Sequence, residues 1–202
     1  MSTPNNPSAP GKSSKRYSKT RRARKQNSST LIWGAAALGL IALVIFLVVR
    51  NTGAAVGPIE GVQTYPNLDR SHTTETVSYD PAPPVGGAHA AAWQNCGVYT
   101  APVPNENAVH SLEHGAVWIT YQPELAADEL ASLQALTRGS SFRLLSPYPG
   151  LDSPIVVSAW GYQLKLDRAG DARLGDFIEK YEQNPLGPEP GGLCTGGVGS
   201  PG

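Results

Sequence analysis

The chain has 202 residues and balances 16 Lys plus Arg against 16 Asp plus Glu, but the charges are segregated along it. Eight basic residues precede residue 30, every acid lies after Arg50, and residues 51–202 carry seven basic against 16 acidic side chains, a net of −9. A single well-mixed globule does not distribute charge this way, and an acidic outer part argues against nucleic acid as a partner.

The first 30 residues are mostly Ser, Asn, Pro, Lys and Arg with one aromatic, Tyr17, and bury too little to fold. Leu31 to Val49 follows as 19 residues without a charge, about long enough at 1.5 Å per residue for a ~30 Å hydrocarbon core. This predicts one uncleaved transmembrane helix. A secretory signal would have a shorter apolar run of about 7–15 residues and a small-residue cleavage site. The basic flank places the N-terminus in the cytoplasm and the C-terminal domain in an extracytoplasmic position at the cell membrane, with anionic lipid attracted to the basic tail. The predicted organisation is a disordered tail (1–30), a membrane helix (31–49), a linker (50–69), an α+β domain (70–186) and a Gly/Pro-rich tail (187–202).

Pro81, Pro83, Pro84, Gly86 and Gly87 exclude a helix from the long segment 71–104, where Thr76–Tyr79 is the one short strand candidate. Asn105 as N-cap and Gly115 as stop predict a helix over 106–114. Ala116–Tyr121 has the content of a buried strand, and Pro123 opens a second helix with Leu125, Leu130, Leu133 and Leu136 on one stripe and Gly139 at its end. Phe142–Leu145 and Ile155–Leu166 read as strands, the second bent at Gly161, and Asp171–Tyr181 as a third helix. This order favours an α+β fold, two layers with helices on one face of a largely antiparallel sheet.

All four histidines, His72, His89, His110 and His114, fall in the first half of the outer part. His110 and His114 are one helical turn apart, so two imidazoles of one face can bind one ion. On a helical wheel they lie opposite Ala108, Val109 and Leu112, so they face either solvent or the long segment carrying His72 and His89. Two histidines leave a zinc-like ion two ligands short, which predicts that the segment folds back over the helix. Zn²⁺ or Cu²⁺ suits such donors, with affinity falling below about pH 6 because imidazole must be neutral to ligate. If the histidines instead only brace loops, the domain is structural or binds a partner that the sequence does not identify. Cys96 and Cys194, in an extracytoplasmic domain, are expected to pair and tether the Gly-rich tail.

His110-Ser111-Leu112-Glu113-His114 also matches the H-x-x-E-H signature, in which two histidines hold zinc and the glutamate is the base. This gives the alternative of a metal-dependent hydrolase using Glu113. Other chemistries lack residues: there is no G-x-S-x-G, phosphate loop or CxxC, and the only methionine is the first residue, which excludes a Cys-His-Met copper site.

The ordered set His72, Tyr79-x-x-x-Pro83-Pro84-x-Gly86-Gly87-x-His89, Cys96-Gly97-x-Tyr99 and Val109-His110-Ser111-Leu112-Glu113-His114-Gly115 resembles the bacterial domain of unknown function numbered 3105 over about residues 65–185. The resemblance implies a membrane-anchored, extracytoplasmic domain and names no substrate.

Overall fold

The computed structural model describes residues 57–202 together with the single positions 2, 38, 39 and 41. The predicted basic tail, the membrane helix over 31–49 and the first part of the linker lie outside the described residues. Among the described residues, no helix is long and apolar enough to cross a membrane.

Six strands form one sheet in the order β1-β6-β5-β3-β4-β2. They are β1 (Gln63–Thr64), β2 (Gly97–Val98), β3 (Val117–Tyr121), β4 (Arg143–Pro147), β5 (Ile155–Ala159) and β6 (Tyr162–Leu166). Within residues 57–202 three helices accompany them: α1 (Asn105–Glu113), α2 (Ala127–Arg138) and α3 (Ala172–Tyr181). β1, β6, β5 and β3 pair antiparallel, whereas β3, β4 and β2 pair parallel. The expected largely antiparallel sheet is therefore mixed, because α2 carries the chain from β3 back to its neighbour β4 as a crossover, which only a parallel pair requires.

The expectation of helices on one face is also corrected. Val117, Ile119 and Tyr121 of β3 join Leu145, Val157 and Leu164 in a core covered by Leu133 of α2 and Leu174, Phe177 and Ile178 of α3. Trp118 and Leu144 point to the other face, where Ala108 and Leu112 of α1 meet the Cys96 and Cys194 pair. β3 and β5 are buried along their whole length because both faces are covered. The α1 face is the more polar: Thr120, Ser146, Ser158 and Gln163 are all buried there, and the Trp118 indole donates to Ser146 Oγ at 3.0 Å.

Several boundaries differ from expectation. Pro104, not Asn105, occupies the N-cap of α1 and accepts the first helical bond from Ala108 at 3.1 Å. α2 starts at Ala127 because Pro123 sits in a preceding turn closed by the Leu125 amide on Gln122 O at 2.9 Å. Thr76–Tyr79 forms no strand; the Val77 amide is taken instead by Glu106 Oε1 at 2.9 Å. From residue 57 the linker is part of the domain: Ile59 and Val62 cover the core edge, and β1 extends the sheet at β6. The Gly/Pro-rich tail is likewise held on the domain, with Val198 bridged to Gln94 and the Gly202 amide on Val98 O at 2.9 Å.

Candidate metal centre

α1 ends in paired backbone bonds, Gly115 N–H to Leu112 O (3.0 Å) and Ala116 N–H to Ser111 O (2.9 Å), which is the Schellman arrangement that a left-handed residue permits. Gly115, at φ +92°, supplies it. The helix therefore turns sharply into β3 immediately after His114, fixing the last turn that carries His110, Glu113 and His114.

The polar face of α1 does not meet solvent. Residues 90–94 run along it, tied by Ala90 N–H to Glu106 O (3.3 Å), Gln94 N–H to Asn107 O (3.0 Å), Asn107 Nδ2 to Ala92 O (2.6 Å) and Ser111 Oγ to Gln94 O (2.7 Å). Upstream, Thr73 N–H donates to His89 O (2.7 Å) and His89 N–H to Ser71 O (3.0 Å), which sets His72 beside His89. The Pro-Pro-Val-Gly-Gly run is pinned to the β5–β6 turn by Gly161 N–H on Val85 O at 2.7 Å. These bonds bring His89 over α1, wholly buried, with ring centroids 4.9 Å from His110 and 5.8 Å from Trp160. His72 stays exposed and stacks on His110 at 5.0 Å.

Donor atoms of His72, His89, His110 and Glu113 all lie within 4.8 Å of one another, a spacing that could hold one metal ion. His114 is not in that set. It forms a second one with His110 and Glu189, where its Nε2 is 3.0 Å from His110 Nε2 and 3.2 Å from Glu189 Oε2. Arg70 Nε donates to Glu113 Oε1 at 3.0 Å, and its Nη2 to Pro188 O at 2.8 Å.

Three imidazoles are fixed in tautomer by main-chain carbonyls. Nδ1 of His89 meets Gly87 O (2.8 Å), that of His110 meets Ala90 O (2.7 Å) and that of His114 meets Leu193 O (2.6 Å). A carbonyl only accepts, so each Nδ1 carries the proton and each neutral ring presents a lone pair at Nε2. His110 Nε2 and His114 Nε2 then oppose two lone pairs at 3.0 Å. His89 Nε2 lies 2.9 Å from Glu113 Oε2, close enough for an ion pair, yet off the hydrogen-bond axis and without a hydrogen-bond partner. Burial, reinforced by the neighbouring imidazoles of His114, His89 and His72 and only partly opposed by the bond to Ala90, holds the His110 pKa below the ordinary imidazole value. A divalent cation within either donor set answers the electron pairs turned into it.

Cys96 and Cys194 form a disulfide, with Cα atoms 5.3 Å apart, within the range such bonds adopt. It fixes the segment that supplies Leu193 O and Glu189. Arg70, Trp93 and Glu189 carry no site signal in the sequence: Arg70 and Glu189 lie in stretches without regular pattern, and Trp93, 5.0 Å from the His114 ring, lies in the long Pro- and Gly-broken segment 71–104. The separation of Glu189 from Cys194 by only four residues was the one signal that the tail could reach α1.

Residues 71–196 match the family described as "Protein of unknown function (DUF3105)". No curated protein and no solved structure matches the chain.

Proposed function

Since the chain belongs to the DUF3105 family, whose matched span holds all four histidines, Glu113 and both cysteines, we propose that this domain binds one transition-metal ion through His72, His89, His110 and Glu113. The observation that carries the reading is the pair of main-chain carbonyls, Gly87 O and Ala90 O, that fix the His89 and His110 rings with Nε2 free beside the Glu113 carboxylate. Carbonyls on the far nitrogen orient metal-binding histidines and raise their basicity. Three imidazoles and one carboxylate make the four-donor set that Zn²⁺ takes in tetrahedral sites, and the same nitrogen donors suit Cu²⁺.

The hydrolase alternative asks Glu113 to remove a proton from metal-bound water. With Oε1 on Arg70 and Oε2 against His89, Glu113 is better suited to act as a ligand than as a base, and a set of four protein donors would leave no position for the water. A non-catalytic binding role therefore accounts better for the geometry. We place the domain outside the cytoplasmic membrane, tethered by residues 31–49, on the strength of the apolar run and its basic N-terminal flank.

Titration of the full-length chain in mild detergent with cobalt(II), a spectroscopic stand-in for zinc, tests the reading. One ion is expected to bind with tetrahedral-type absorption, and His89→Ala is expected to weaken binding by at least about 100-fold, the upper end of what even an outer partner contributes. Equal affinity in wild type and variant would refute it.

A further inference from the structure

The two donor sets share a single atom. His110 spends Nδ1–H on Ala90 O at 2.7 Å, so Nε2 is its only free donor, and one nitrogen lone pair binds one ion. An ion held with His72, His89 and Glu113 and an ion held with His114 and Glu189 therefore cannot both use His110. The positions are alternatives, separated by a small displacement about one common ligand.

They also differ in completeness and access. The first set offers four donors, with His89 and Glu113 buried. Its one exposed member, His72, lies with its ring nearly parallel to His110, at an interplanar angle of 24°. The second set offers three donors, leaving one coordination position for water or for a ligand arriving with the ion. Its carboxylate, Glu189, has 54% of its side chain exposed, while its amide donates to Glu113 O at 3.2 Å and so holds the tail over the end of α1. An exposed carboxylate beside a fixed imidazole is suited to capture a hydrated cation. A buried four-donor set is suited to keep it.

We propose that His114 and Glu189 form a loading position from which the ion passes to the His72, His89, His110 and Glu113 set, with His110 ligating throughout. In the transfer, bonds from the ion to Glu189 Oε2 and His114 Nε2 break as bonds to His89 Nε2 and Glu113 Oε2 form, and His72 fills the position left by water. Neutral imidazoles and one carboxylate stand on each side, so no electron or proton is gained or lost. This inference rests on the metal-binding reading above.

A loading position speeds entry and exit alike without changing the resting affinity. Stopped-flow mixing of cobalt(II) with the full-length chain compares wild type, Glu189→Gln and His89→Ala. For Glu189→Gln we expect association and dissociation both slowed about tenfold, the lower end of what a group that does not ligate the resting ion contributes, with equilibrium affinity within about twofold of wild type. His89→Ala should lose affinity and keep fast, weak binding. Unchanged rates in Glu189→Gln overturn the proposal, as does an affinity loss like that of His89→Ala, which would make Glu189 a resident ligand. Slower association with unchanged dissociation overturns it too, since that is the signature of a lost steering charge. Two ions bound per wild-type chain would show that the positions fill independently. If wild type binds no ion, both readings fail, whereas wild-type binding that His89→Ala weakens and Glu189→Gln leaves untouched removes only the loading position.

Discussion

At the scale of single residues, the centre depends on positions that do not touch an ion. Gly115 adopts φ +92°, and a Cβ there would stand 3.0 Å from the Gln183 backbone. Left-handed backbone costs an L-residue roughly 1–2 kcal/mol, so Gly115→Ala is expected to destabilise the fold by about that amount, read as a lowered thermal midpoint. Because Gly115 follows His114 directly, the same variant should weaken metal binding, whereas an exposed control such as Gly170→Ala, with open space around its Cβ, should change neither. His110 and His114 were legible as a helical pair, and Glu113 came with them. Their surroundings were not: a wheel puts the pair opposite Leu112, but only tertiary bonds from residues 87–94 decide that this polar face is buried.

At the scale of elements, α3 shows how a local cap is read out in solution. Asp171 accepts from the Arg173 amide at 2.9 Å and pairs with its guanidinium at 2.7 Å, and these contacts hold the Asp171 carboxyl down to about 2. A folded pKa below the unfolded one contributes stability that is complete above about pH 4 and is lost as pH falls towards 2. Asp171→Ala should cost about 1 kcal/mol at neutral pH by removing the cap. Asp171→Asn keeps an acceptor for the amide and should flatten the part of the acid limb that Asp171 supplies, as followed by thermal unfolding between pH 6 and pH 3. The helices were readable from their apolar spacing and stop signals, and β3 from its β-branched and aromatic content, whereas Ile155–Leu166, read as one strand bent at Gly161, is the antiparallel β5–β6 hairpin turning at Trp160 and Gly161. β1, a two-residue exposed edge strand, imposes no period. The layering was legible in principle: Val-Trp-Ile-Thr-Tyr does not alternate, and an unalternated strand needs cover on both faces, which a one-sided helix layer does not give.

At the scale of the whole domain, the Cys96–Cys194 disulfide joins segments 98 residues apart and holds in place the tail that orients His114 and carries Glu189. Closing a loop of that length is worth up to about 4.7 kcal/mol in the chain-entropy model, and losses of roughly 2–5 kcal/mol follow when such bonds are removed from small domains. The paired Cys96→Ser and Cys194→Ser variant should therefore unfold at lower denaturant concentration and also load metal more slowly. Stability lost with unchanged loading would separate the tail's anchoring from the centre. The stretch read from sequence as a Gly/Pro-rich tail supplies Glu189, and Arg70, at the very start of the domain as read from sequence, reaches Glu113. Glycine-rich chain has no pattern to show where it lies; only its partners on the domain determine that.

The proposed function requires imidazoles of this domain to converge on one transition-metal ion. X-ray absorption at the zinc edge of the full-length, zinc-loaded chain measures this directly. Four nitrogen or oxygen donors at about 2.0–2.1 Å are expected, with outer-shell scattering from three imidazole rings. A shell of oxygen donors without imidazole scattering would contradict it.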